Sequence, residues 1–141
     1  MRFLNSKLKI ENTILQNIAK KYGTPAYCYS YKQLRENIND FKKNFKSISP
    51  LICFAIKSNT NLNLIKEIKK FGLGADVVSM GELMLALKAG ISPKKIVFSG
   101  VGKTSKEINF AIDKNILLIN SESKSEITVS YTHLTLPTIL R

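Results

Sequence analysis

The chain has 141 residues, 44% of them hydrophobic, which suits one soluble domain with a buried core. No apolar run is long enough to span a membrane, and Met1 to Lys7 turns polar too soon for a secretion signal, so a cytoplasmic protein without a membrane role is expected. The formal net charge of +12 raises nucleic-acid binding as a rival reading, since a basic surface attracts phosphate whatever the base sequence.

In chain order, Asn12 to Tyr22 reads as an amphipathic helix stopped by Gly23, and Thr24-Pro25 leads into a short strand, Ala26 to Tyr29. Cys28 falls on that strand and Cys53 on the next one. Neither needs a disulfide in a reducing compartment, and both read as packing residues. Short apolar strands follow at Leu51 to Ile56, Ala75 to Val78, Lys95 to Phe98 and Ile116 to Ile119, roughly 21 residues apart, a spacing suited to parallel strands with crossover helices. Ser30 with Gln33, Ser79 with Glu82, Thr104 with Glu107 and Ser123 with Glu126 have capping-box spacing at the helix starts. Between them, Leu64, Ile65, Ile68 and Phe71, then Leu83 and Leu87 before Gly90, form apolar stripes that read as core.

Lys57 is the first polar side chain after the run Leu51 to Ile56. Alternation places Leu51, Cys53, Ala55 and Lys57 on one face and Ile52, Phe54 and Ile56 on the other. A lysine there is expected to be partly desolvated, which disfavours its ammonium form and suits a Schiff-base nucleophile. The competing reading is a solvated charge at a strand end. The distribution of cations argues against a nucleic-acid face: Lys20-Lys21 and Lys69-Lys70 lie near helix C-termini, where the macrodipole favours them, and Lys94-Lys95 precedes a strand. Gly100-Val101-Gly102-Lys103-Thr104 looks like the end of a phosphate-binding loop, but the glycine that motif requires is replaced by Val97, so a tight turn into a capped helix is expected. No metal site is expected.

Phe54-Ala55-Ile56-Lys57-Ser58-Asn59 resembles the lysine motif of the pyridoxal-phosphate decarboxylases that share a barrel fold with alanine racemase. Gly74-Ala75-Asp76-Val77-Val78-Ser79-Met80-Gly81-Glu82-Leu83, Lys95 to Thr104 and Tyr22 to Tyr27 resemble, in the same order, segments of the diaminopimelate decarboxylases within that group. Met80 departs from the family, which most often has glycine there. The resemblance implies an α/β fold: the N-terminal part of a TIM-type (β/α)8 barrel that binds pyridoxal phosphate, truncated at about four strands, with one N-terminal strand belonging to a second β domain. Residues 1–30 would be the helix and strand of that β domain, 31–128 the partial barrel, and 129–141 a non-native tail.

The same resemblance implies that Lys57 holds pyridoxal 5'-phosphate as a Schiff base in an enzyme converting meso-2,6-diaminopimelate to L-lysine and CO2, a homodimer when full length, with an amino acid as its substrate. Asp76, at the end of the next strand, is a second candidate contact for the lysine or cofactor, against a plain strand-end carboxylate. The family's glycine-rich phosphate loop and its glutamate facing the pyridine nitrogen have no counterparts in this sequence, so the chain itself is expected to be inactive. His133 cannot be equated with the histidine that the family stacks on the cofactor, because it comes too early and in a foreign context. From Val129 onward the sequence has no lysine, asparagine or acidic residue and resembles translated sequencing-adaptor sequence. Ornithine, arginine or carboxynorspermidine decarboxylases remain alternatives, as does a non-enzymatic pyridoxal-phosphate carrier; an alanine racemase is disfavoured because Ser58-Asn59-Thr60-Asn61-Leu62 follows the lysine.

Overall fold

A computed structural model describes residues 2–4, 7–131 and 138–140, with side chains described for 7–128. The chain forms two compact units, Met1–Pro50 and Leu51–Arg141. In the first, β1 (Arg2–Leu4), β2 (Lys7–Ile10) and β3 (Thr13–Ile14) make an antiparallel sheet in that order. Helix α1 (Leu15–Tyr22) starts three residues later than expected, because Thr13 is taken up in the ladder opposite Ile10. It ends at Gly23, whose φ of +84° suits a residue without a Cβ.

Ala26 to Tyr29, expected as a strand, pairs with no described residue. Tyr27 is 91% exposed and Cys28 is exposed rather than packed. An extended segment becomes a strand only where a neighbouring edge takes its backbone hydrogen bonds, and none of the described edges does. Helix α2 (Tyr31–Asn44) follows, its N-terminus held in two ways. Ser30 Oγ accepts from Gln33 N, and Glu11 Oε1 accepts from both Lys32 N (2.8 Å) and Ser30 Oγ (2.7 Å). A carboxylate at a helix N-terminus is favoured by the dipole, and these bonds, that from the Lys32 amide first, hold Glu11 below the usual carboxylate range.

The second unit alternates strands and helices. β4 (Cys53–Ala55), β5 (Gly74–Val77), β6 (Ile96–Phe98), β7 (Leu118–Ser121) and β8 (Thr138–Leu140) form one sheet in chain order, every neighbouring pair parallel. Helices α3 (Leu62–Lys70), α4 (Met80–Lys88), α5 (Ser105–Asp113) and α6 (Lys124–Tyr131) make the connections. Four strands lie where the apolar runs placed them, shifted by one or two residues. β8 lies inside the segment expected to be a non-native tail, and pairs Ile119 with Thr138. Residues 132–137 and 141, His133 among them, are outside the described residues.

Among the described residues, the helices cover one face of the sheet. Ala75, Val77, Ile96, Phe98 and Ile119 alternate along their strands into a core shared with Ile65, Leu83, Ala86, Ile108 and Ala111 of the helices. Burial of the valine, leucine, isoleucine and phenylalanine side chains among them stabilises by about 1.5–3 kcal/mol each. Phe54 of β4 packs against the same cluster. Two glycines let backbones approach closely: a Cβ on Gly74 would lie 2.2 Å from Lys95 O, and one on Gly100 2.2 Å from Val78 O.

Candidate functional site

The register fixes what stands on the opposite face. Phe54 pairs with Ala75, Ala55 with Asp76, and Val77 with Phe98. Since Ala75 and Val77 point into the core, Asp76 shares the other face with Ala55 and Cys53. Ser99, directly after β6, and Asn120 in β7 fall on that face too, because their neighbours Phe98 and Ile119 are core residues. Ala55, Asp76, Ser99 and Asn120 stand at or just past C-terminal strand ends, where parallel α/β sheets carry their sites.

Lys57 sits at the end of β4, but not as the alternation predicts. Strand geometry stops at Ala55, and Ile56–Ser58 form a single 3-10 turn. Ile56 is fully buried and anchors that turn, while Lys57 is exposed, so the expected partial desolvation is corrected. The physical reason is that the backbone leaves the strand at Ala55, so residue 57 belongs to a turn and not to the pleat. The turn is fastened on both sides. Ser58 Oγ donates to Ala55 O (2.7 Å), Asn59 N to Ile56 O (2.9 Å), and Asn59 Oδ1 accepts from Asn61 N. Asn61 in turn caps α3 by accepting from Asn63 N and Leu64 N.

Asp76 is half-buried, and Ser99 Oγ donates to Asp76 Oδ1. Ser99 is itself held by its backbone N–H, which donates to Val77 O at 2.9 Å. On the same face, burial pushes the Cys53 thiol above its ordinary range, and the Asp76 charge pushes it the same way. Asn120 is 9% exposed, and its carbonyl accepts from Lys103 Nζ at 2.6 Å. Lys103 completes a buried ion pair with Glu126 Oε2 at 3.2 Å, its ammonium 5.5 Å from the centre of the Phe98 ring. The expected tight turn at Gly100 to Thr104 is present, with Gly102 at φ +66° and a full capping box between Thr104 and Glu107.

Acidic side chains at the helix starts brace these loops. Glu82 accepts from Val78 N, Glu107 from Thr104 N and from Met80 N at the start of the preceding helix, and Glu126 from Glu122 N and from Lys103 N in the loop before α5. Of the expected boxes, Ser79, Ser123 and Ser30 each accept the amide three residues on. Their partners Glu82 and Glu126 turn to Val78 N and Glu122 N, and Gln33 turns to Asn37. Ser99 and Asn120 were not singled out from the sequence, and Lys103 was considered only as the lysine of a phosphate-loop look-alike. The available signal was a polar residue directly after or within the end of an apolar strand.

Residues 31–141 match the family model described as pyridoxal-dependent decarboxylase, pyridoxal binding domain. The chain belongs to that family. It is 44% identical over 129 residues to diaminopimelate decarboxylase of Aquifex aeolicus, which covers 92% of this chain and 30% of that protein. Among solved structures, diaminopimelate decarboxylase of M. jannaschii in co-complex with L-lysine superposes with a TM-score of 0.91 at 33% identity, over 97% of this chain and 34% of that one. The Helicobacter pylori enzyme complexed with L-lysine gives a TM-score of 0.78 at 41% identity, over 82% and 29%. The fold is therefore that of the pyridoxal-phosphate decarboxylase barrel, and the chain spans about 30% of the length of the curated relatives it matches.

The side chains present fit a pyridoxal cofactor. An aldehyde-bearing ligand needs an accessible primary amine, and Lys57, exposed in the turn after β4, supplies one. A carboxylate, a hydroxyl and a carboxamide (Asp76, Ser99, Asn120) supply hydrogen-bonding groups at or just past the ends of the three following strands.

Proposed function

We propose that Lys57 is the cofactor lysine of a decarboxylase that, as a whole protein, converts meso-2,6-diaminopimelate to L-lysine and CO2. The observation that carries this reading is the exposed amine at the C-terminal end of β4, pinned by its anchored turn, in a chain 44% identical to a diaminopimelate decarboxylase. When bound, pyridoxal phosphate supplies an electron sink conjugated to the substrate's α-carbon. Lys57 attaches the cofactor covalently through Nζ. The buried Ile56 and the Ser58 and Asn59 bonds fix the backbone of the turn from which that side chain extends. Asp76 would offer a negative charge and hydrogen-bond acceptors to a cofactor held over its face of the sheet. The same proposal takes residues 1–30 as part of a second β domain, 31–128 as barrel and 129–141 as a non-native tail, and the whole protein as a cytoplasmic homodimer.

The test is labelling. The chain is incubated with limiting pyridoxal phosphate, reduced with borohydride, and digested for mass mapping. We expect the adduct to concentrate on Lys57 and to vanish in Lys57→Arg. Adducts spread evenly over the surface lysines, unchanged by that substitution, would refute the assignment.

A further inference from the structure

The sheet's uncovered face holds a contact that no part of the labelling reaction uses. Asp76 and Ser99 stand on adjacent strands, and the register sets them two residues out of step, because Asp76 is opposite Val97. A side chain two residues on along β6 is therefore beyond Asp76 towards the strand ends. Ser99 nevertheless reaches back, and its hydroxyl donates to Asp76 Oδ1. It can do so because its own backbone is tied to Val77 O, and because Gly100 follows it. A Cβ on Gly100 would meet Val78 O at 2.2 Å, so the chain after Ser99 lies against the chain after Asp76 only where no side chain intervenes. The sequence thus provides both the donor and the close approach that brings it to the carboxylate.

We propose that Ser99 is a positioning residue of the cofactor site: its hydroxyl fixes the rotamer of Asp76, so that the carboxylate is held in place before a ligand arrives. The inference rests on the reading of Lys57 as the cofactor lysine. A carboxylate bound by a hydroxyl is an acceptor through its remaining lone pairs only, and it no longer has to be ordered when a cofactor docks. Without the hydroxyl, the half-buried carboxylate loses a charge-assisted hydrogen bond and gains rotamer freedom. The expected effect of Ser99→Ala is a drop in pyridoxal-phosphate affinity of roughly three- to tenfold.

The experiment is a double-mutant cycle read by cofactor titration, with the Lys57 adduct measured at limiting pyridoxal phosphate as a second readout. The proteins are the full chain, Ser99→Ala, Ser99→Thr, Asp76→Ala and the double variant Ser99→Ala with Asp76→Ala. If Ser99 acts through Asp76, Ser99→Ala weakens binding in the parent, does nothing further once Asp76 is alanine and offers no acceptor, and is rescued by threonine, which keeps the hydroxyl. Equal losses in both backgrounds, or no loss in the parent, would overturn the proposal while leaving Lys57 in its role. Absence of any selective Lys57 adduct in the parent chain would remove the underlying reading and this inference with it. Circular dichroism on each variant separates a lost fold, which lowers both backgrounds alike, from a lost contact, which does not.

Discussion

At the scale of single residues, the most demanding group in the second unit is Lys103, an ammonium whose side chain is 1% exposed. Burying an ammonium is tolerable only with partners, and Lys103 has the Glu126 carboxylate, the Asn120 carbonyl and the face of Phe98. The pair is not symmetric. Glu126 also accepts two backbone N–H groups, from Lys103 and Glu122. Burial raises its pKa and is the largest single influence, but these bonds together with the Lys103 charge outweigh it, and the carboxyl stays below the usual range. Removing the lysine side chain therefore leaves a carboxylate still bound by two amides, whereas removing the carboxylate leaves a buried cation with one carbonyl. Glu126→Ala is expected to cost about 3–5 kcal/mol, and Lys103→Met about 1–3 kcal/mol. Urea denaturation of both variants measures the difference, and equal losses would show that the amides contribute nothing to holding Glu126.

At the scale of elements, the helices α4, α5 and α6 are linked to one another through their first-turn acids, and this has a pH signature. Glu107 is pulled below its ordinary value of 4.5, chiefly by the Thr104 amide, with burial opposing and the Met80 amide adding to the pull. A carboxyl with a lowered pKa in the folded state contributes stability that is fully present above the unfolded value, and that stability is lost as pH falls through the folded one. The parent chain should thus lose stability on acidification below about pH 4.5 more steeply than Glu107→Gln, which is weaker at neutral pH and converges with the parent in acid. Urea midpoints between pH 7 and pH 3 test this, and parallel curves would contradict it. The capping half of this arrangement was legible, since Thr104 and Glu107 are three apart. The bridging half was not: Glu107 reaches Met80 across 27 positions, and only the parallel register brings those ends together. The same holds for Ser99 and Asp76, whose contact depends on which strands neighbour each other. The burial of Lys57 was misread, because the period-2 pattern of Leu51 to Ile56 continues in the sequence past the point where the backbone leaves the strand.

At the scale of the whole molecule, the second unit was legible because its strands are nearly uninterrupted apolar runs, as strands of a parallel sheet covered by helices tend to be. The small antiparallel sheet of the first unit was overlooked. Lys7-Leu8-Lys9-Ile10 alternates with period 2, but the stronger helical pattern after Asn12 drew the reading past it. The five-stranded sheet has β4 and β8 at its margins, each with one neighbour among the described strands. The outer edge of β4 therefore offers backbone donors and acceptors to any strand that can reach them, beside a face on which Cys53 and Ala55 are only half-covered. Natural sheets guard such edges with charge, proline or a covering element. The residues of β4 itself are Cys53, Phe54 and Ala55, which supply none of these. Made on its own, this polypeptide is expected to self-associate: sedimentation velocity should show a mass that rises with concentration, and urea unfolding should be broad and concentration-dependent. A monomer at every concentration, unfolding in one sharp transition with a fixed midpoint, would mean that the edge is already protected. The favourable packing of the Phe98 and Ile108 core would then suffice by itself to hold the unit together.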